Sequence, residues 1–112
     1  MNSQDRWKLR FQKEIQKAIN ARYLNNEGMA RVCARRAAGI IIGEYFHRQG
    51  IADQDQSAYN RLQKLQNLPN TDEQVHIVAG YFLTRITPDH ELPIEVDLLA
   101  EACWLSEKLL GE

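Results

Sequence analysis

The segment Arg85-Ile86-Thr87-Pro88-Asp89-His90 carries the residue types that could do chemistry on a phosphodiester. An arginine can bind a phosphate through two parallel hydrogen bonds, and a histidine titrates near neutral pH. Arg85 and His90 therefore supply the groups needed to cleave a phosphodiester without a metal ion. In the alternative interpretation, Arg85 binds helix-end carbonyls or Asp89, and His90 is an ordinary loop residue.

Other kinds of catalytic centre need patterns that this sequence lacks. The three histidines and two cysteines are not spaced as metal ligands, and there is no glycine-rich phosphate loop and no Gly-x-Ser-x-Gly motif. Cys33 and Cys103 lie on apolar faces of predicted helices, which is typical of buried thiols. We therefore expect neither a metal site nor a cofactor.

Basic residues are concentrated in the first half of the chain. Residues 1–50 carry ten Lys and Arg against four Asp and Glu, and residues 51–112 carry four against eleven. The basic half could bind a polyanion such as RNA weakly and without sequence preference, or it could pair with the acidic half in folding or self-association. The candidate nucleic-acid-binding residues are Arg6, Arg10, Lys13 and Lys17, which share one face of the first predicted helix, and Arg31 and Arg35 of the second.

The second predicted helix, Met29 to Gln49, organises the chain. Ile40, Ile41 and Ile42 point in three directions at 100° per residue, so this helix must be covered on most sides. Its small residues, including Gly39 and Gly43, would let neighbouring helices approach closely. On the same helix Arg31 and Arg35 fall near one azimuth, whereas Arg36 and His47 fall on another.

Four further helices follow from hydrophobic periodicity and capping signals. The first runs from Ser3 to about Leu24, and the short third runs from about Ser57 to Leu68. The fourth begins at the capping residues Asn70 and Thr71 and runs to about Thr87, and the fifth runs from Pro93 to Gly111. The buried stripe predicted for the first helix consists of Trp7, Phe11, Ile15, Ala18 and Ile19.

A chain of 112 residues without strand signals suits one all-α domain. We predict an up-and-down bundle of four long helices plus one short helix. No apolar run reaches the length of a signal peptide core or a membrane span, so the expectation is a cytoplasmic protein without membrane contact.

Three apolar residues of the last two predicted helices lack an obvious place in the core. Ile77 and Tyr81 occupy a second side of the fourth helix, and Trp104 lies among charged residues of the fifth. Tryptophan is enriched at the centres of interfaces, so these residues predict a homodimer through the last two helices. The alternative is that the C-terminal edge packs against a loop of its own chain.

The order of these elements resembles the HEPN family of small helical domains. An alanine-rich second helix ending in an apolar, aromatic segment and a glycine is matched by residues 37–50, and a short Leu-x-x-Leu helix is matched by Leu62 and Leu65. An arginine that closes the fourth helix before a Pro-Asp pair is matched by Arg85, Pro88 and Asp89. The likeness spans about residues 5 to 110.

The resemblance implies one of two functions. One branch of the family contains homodimeric ribonuclease toxins with an Arg-x4–6-His motif, which Arg85 and His90 fit in spacing, although Ile86 and Leu92 replace polar or hydroxyl-bearing residues common there. The other branch accompanies nucleotidyltransferases or binds nucleotides. Its Arg-x-Pro-Asp ending is close to the sequence from Arg85 to Asp89, so we favour a non-catalytic accessory module that binds a nucleotide, RNA or a protein partner. A purely structural homodimer remains the third alternative.

Overall fold

The computed structural model describes residues 6–112, and this part of the chain is helical without strands. Helix α2 packs against α1, α3 and α5, while α4 packs against α3 and α5. No helix in the described part is long and apolar enough to cross a membrane. The helices are α1 (Arg6–Tyr23), α2 (Glu27–Gln49), α3 (Ala58–Gln66), α4 (Glu73–Leu83) and α5 (Leu98–Leu110).

The central position of α2 is confirmed. Ile41 and Ile42 are fully buried and Ile40 is 9% exposed, so the helix is covered in the three directions that these side chains take. The side chain of Asn26 caps its first turn by accepting from the Met29 N–H, and Gly50 ends it in a left-handed conformation. The three-residue connection to α1 makes α1 and α2 a helical hairpin.

Two glycines of α2 let α3 pack closely against it. A Cβ atom at Gly39 would lie 2.8 Å from the Cβ and 2.9 Å from the Cα of Ala58 in the first turn of α3. A Cβ at Gly43 would lie 2.4 Å from the guanidinium carbon of Arg61. The Arg61 guanidinium donates to the Gly39 carbonyl at 3.0 Å and pairs with Asp53 at 2.7 Å. Arg61 thus ties α3 to both α2 and the loop before α3.

Helix α4 is shorter at its C-terminal end than the sequence predicted. It ends at Leu83 rather than near Thr87, so Arg85 lies in the following loop and does not close the helix. The Thr84 hydroxyl donates to the Gly80 carbonyl at 3.0 Å, and the Arg35 Nε donates to the Phe82 carbonyl at 3.1 Å. These side chains satisfy carbonyls of the last turn and thereby end the helix early.

Helices α4 and α5 both begin later in the chain than the sequence predicted, because other residues cap them. Asp72, rather than Asn70 or Thr71, caps α4 by accepting from the Gln74 N–H at 2.8 Å. Asp97 caps α5 by accepting from the N–H groups of the first turn, so the helix begins at Leu98 and not at Pro93.

The Asp97 cap also gives Arg22 a partner. Arg22 pairs with Asp97 at 3.0 Å and with Glu27 at 2.8 Å, which explains why an arginine is tolerated at the azimuth of the apolar stripe of α1. The same interaction with Arg22 holds the pKa of Asp97 below its usual range.

Individual burial predictions were partly wrong. Ile19 is 45% exposed. At this turn of α1 the buried face of the helix includes Ala21 and not Ile19. Cys103 is exposed, whereas Cys33 is buried as predicted. Ser3 lies outside the described residues.

We expect Gly39→Ala to destabilise the protein. The added methyl group would meet the backbone of Ala58, and overpacking of this kind costs about 1–3 kcal/mol, which exceeds the roughly 1 kcal/mol that alanine gains over glycine in a helix interior. The measurement is the free energy of unfolding in urea.

The matched control for this experiment is Gly28→Ala in the same helix. A Cβ atom there would approach only the Asn26 side chain, at 3.9 Å, so stability should be unchanged or raised. Equal stability of the two variants would show that the close approach of α3 does not depend on Gly39.

Candidate functional site

Helices α1, α2 and α3 enclose a groove made of two adjoining cavities of about 270 and 210 Å³. Arg10, Ile40 and Arg61 line both cavities and so join them into one continuous surface. Most of the other charged side chains along it are cationic, and we call it the basic groove. Its basic residues are Arg6, Arg10, Lys13, Arg36, His47 and Arg61.

Helical spacing explains why these cations converge. Arg6, Arg10 and Lys13 are separated by four and three residues and therefore share one face of α1. Arg36 and His47 are eleven residues apart, which is close to three full turns, so they share one face of α2. The hairpin turns these two faces toward each other, and α3 adds Arg61 at one edge.

Most cations of the basic groove have no acidic partner. Within residues 6–112, the side chains of four of them form no ion pair and no hydrogen bond. These are Arg6, Arg10, Lys13 and Arg36. Arg61 differs, because Asp53 and the Gly39 carbonyl hold its guanidinium. Four exposed side chains thus present uncompensated positive charge to one groove.

Two carboxylates limit this charge without neutralising it. Glu14 lines the first cavity, where its Oε1 accepts from Lys17 at 3.4 Å and its Oε2 is buried without a hydrogen-bond partner among the described residues. Glu44 lines the second cavity and lies 3.5 Å from Arg48. The groove therefore keeps a surplus of positive charge and can accept an anion.

Cys33 is not suited to act as a nucleophile. Burial raises the pKa of its thiol, and the nearby Glu14 carboxylate raises it further, so the thiol stays protonated near neutral pH. Its side chain is 1% exposed. The interpretation of Cys33 as a core residue is therefore confirmed.

The six predicted nucleic-acid-binding residues do not form one surface. Arg6, Arg10 and Lys13 line the basic groove, and Lys17 pairs with Glu14 beyond it. Arg31 and Arg35 lie on another side of α2, toward the loop between α4 and α5. There Arg31 donates to the His90 carbonyl at 3.5 Å, and Arg35 donates to the Phe82 carbonyl.

Sequence reasoning did not assign Arg36, His47 and Arg61 to the site. The sequence indicates that Arg36 and His47 lie on the same side of α2, but it does not show that this side faces α1. Nothing in the local sequence connects Arg61 to the groove, because its position results from contacts with Asp53 and with the glycines of α2.

Arg85 and His90 are placed in the loop between α4 and α5. Arg85 lies beside Arg35 in a separate cleft, which His90 does not line. His90 adopts a left-handed backbone conformation and its N–H donates to the Thr87 carbonyl at 2.9 Å. No hydrogen bond joins the two side chains in the described structure.

The three predicted interface residues differ in their exposure. Ile77 is 42% exposed, as a contact residue should be. Tyr81 and Trp104 are instead partly buried and pack against the core of their own chain. Contacts within its own chain therefore bury much of the Trp104 side chain.

Residues 6–112 contain no group of three or more His, Cys, Asp or Glu side chains that could hold a metal ion. Comparisons of the chain with protein-family models, curated proteins and solved structures yield no match.

Proposed function

We propose that the chain is a non-catalytic, HEPN-like binding module that holds the phosphate groups of a nucleotide or of RNA in the basic groove. The observation that carries this proposal is the convergence of Arg6, Arg10, Lys13 and Arg36 on one groove without acidic partners in the described structure. A role beside a nucleotidyltransferase or another protein partner is part of the same proposal.

The chemistry of the groove favours phosphate recognition over base recognition. Arginine binds phosphate oxygens through two parallel hydrogen bonds, and lysine adds a point charge. Trp7 lines the second cavity but is only 8% exposed, and the Arg48 guanidinium lies 5.7 Å from its ring centroid. This tryptophan offers no free face on which a base could stack, so binding should tolerate many base sequences.

A short single-stranded RNA should bind at low salt and weaken as salt rises. Arg36→Gln should lower the affinity roughly fivefold, because one exposed ion pair contributes up to about 1 kcal/mol. It should also reduce the slope of log K against log salt by about 0.7, since one phosphate contact is lost. Fluorescence anisotropy between about 50 and 200 mM salt measures both quantities.

The control for this experiment is Lys108→Gln. This change removes one positive charge from α5, outside the groove, where Lys108 pairs with Asp72 at 3.2 Å. The affinity of this variant for RNA and the slope of log K against log salt should equal those of the wild type. Absence of binding of both RNA and ADP at low salt, or equal losses of affinity in the two variants, would refute the groove as a phosphate site. A parallel titration with ADP identifies a nucleotide as the ligand if ADP binds as tightly as RNA does.

The alternative function is a metal-independent ribonuclease with Arg85 as the phosphate-binding group and His90 as the general acid or base. The observation in its favour is the turn between these residues, in which the Thr87 N–H donates to the Glu91 carbonyl at 2.8 Å. This turn folds the chain back toward Arg85. Ile86 and Leu92 supply no polar group to orient a substrate, and positioning errors of about 1 Å can cost roughly a hundredfold in rate.

We expect no RNA cleavage by the wild-type protein in the presence of a chelator, because no hydrogen bond joins Arg85 and His90 in the described structure and His90 does not line the cleft that contains Arg85. The assay compares the wild type with His90→Ala at matched folding, followed by circular dichroism. Cleavage that disappears in His90→Ala would establish the ribonuclease and overturn the non-catalytic proposal.

Self-association through α4 and α5 is a further part of the proposal. Ile77 is exposed on α4, so Ile77→Asp should convert a dimer to a monomer at tens of micromolar by placing a charge in the contact. Leu9→Asp, at a similarly exposed position of α1, is the control and should leave the dimer intact. Sedimentation velocity measures the outcome, and a monomeric wild type would exclude this homodimer.

A further inference from the structure

A second cleft shares no lining residue with the basic groove. It has a volume of about 510 Å³, which is within the range typical of small-molecule sites. Residues from α2, α3, α4 and the loop after α4 line it. These residues are Arg35, Tyr59, Phe82, Leu83, Thr84, Arg85 and Ile86, and we call their surface the arginine cleft.

The arginine cleft carries uncompensated positive charge. Among the described residues that line it, none is Asp or Glu. Arg35 uses its Nε to donate to the Phe82 carbonyl, and its two terminal nitrogens have no partner in the described structure. Burial lowers the pKa of Arg35, which shows that its charge is partly desolvated without a carboxylate to offset this. Arg85 is exposed and forms no ion pair within residues 6–112.

The rest of the cleft surface is largely apolar. Phe82 is buried at its base and Leu83 is half-buried beside it. Ile86 and Tyr59 are 39% and 55% exposed, so apolar side chains stand at the rim without a covering element. Apolar surface and two available guanidinium groups therefore line the same open cleft.

We propose that the arginine cleft binds a small amphipathic anion, with its carboxylate or phosphate between Arg35 and Arg85 and its apolar body against Phe82, Leu83 and Ile86. Charge complementarity selects the anion, since an unpaired and partly buried guanidinium favours a charge-assisted hydrogen bond. The apolar body gains from leaving water. This site is separate from the basic groove and does not depend on it.

Isothermal titration calorimetry with 1-naphthoate and 1-naphthyl phosphate tests the cleft, and neutral 1-naphthol serves as the uncharged comparison. Both anions should bind, and 1-naphthol should bind at least tenfold more weakly because it lacks the charged group. The stronger of the two anions identifies the preferred head group. Arg85→Gln should weaken anion binding about tenfold, while Ile86→Ser should weaken all three ligands by severalfold.

Both substitutions change exposed loop residues, so the variants should fold, and circular dichroism verifies this. Lys108→Gln again provides the matched loss of one charge outside the site and should bind like the wild type. Equal binding of 1-naphthol and 1-naphthoate, no binding of either anion at millimolar concentration, or equal effects of Arg85→Gln and Lys108→Gln would each overturn the proposal. These outcomes do not bear on RNA binding in the groove, which has its own ligand and variants.

Discussion

The close approach of α3 to α2 is the constraint on which both candidate sites depend. Gly39 and Gly43 leave room for Ala58 and for the Arg61 guanidinium, and Arg61 then bonds the Gly39 carbonyl and Asp53. In this position the first turn of α3 closes one edge of the basic groove through Ala58 and Arg61. The adjacent Tyr59 closes one edge of the arginine cleft. A bulkier residue at Gly39 would move α3 and change both surfaces together.

The division of charge along the sequence has two structural explanations. Part of the basic half pairs with the acidic half within the chain, since Lys8 and Arg48 both contact Glu112 and Arg22 contacts Asp97. These pairs connect Glu112 and the start of α5 to the hairpin. Arg6, Arg10, Lys13 and Arg36 of the groove have no such partner in the described structure. Folding therefore uses some of the excess charge and leaves much of the rest in the basic groove.

The sequence predicted the all-helical class and the central helix well, because Ile40, Ile41 and Ile42 leave few other arrangements and Asn26 and Gly50 are strong end signals. It placed the end of α4 and the start of α5 poorly. Those boundaries depend on capping by Thr84, Arg35 and Asp97. Arg35 of α2 reaches the end of α4 only in the folded chain, where α3 and α5 pack against both helices.

The sequence was also unable to predict which residues of different helices meet in the candidate sites. Periodicity located the basic face of α1, but it could not show that Arg36 and His47 face it, or that Arg35 and Arg85 share a cleft. Arg61 could not be found at all, because its role depends on the absence of side chains at two distant glycines. Spacing within one helix is visible in a sequence, whereas the meeting of two helices is not.

The most direct test of the central claim is to map bound RNA on the protein by NMR. Titration of a labelled sample with a short single-stranded RNA reports both the backbone amides and the guanidinium Nε resonances of each arginine. Phosphate binding in the basic groove should give the largest shifts at Arg10, Lys13 and Arg36, with small shifts at Arg85 and His90. Shifts centred on the loop from Arg85 to His90, or spread evenly over the surface, would contradict it.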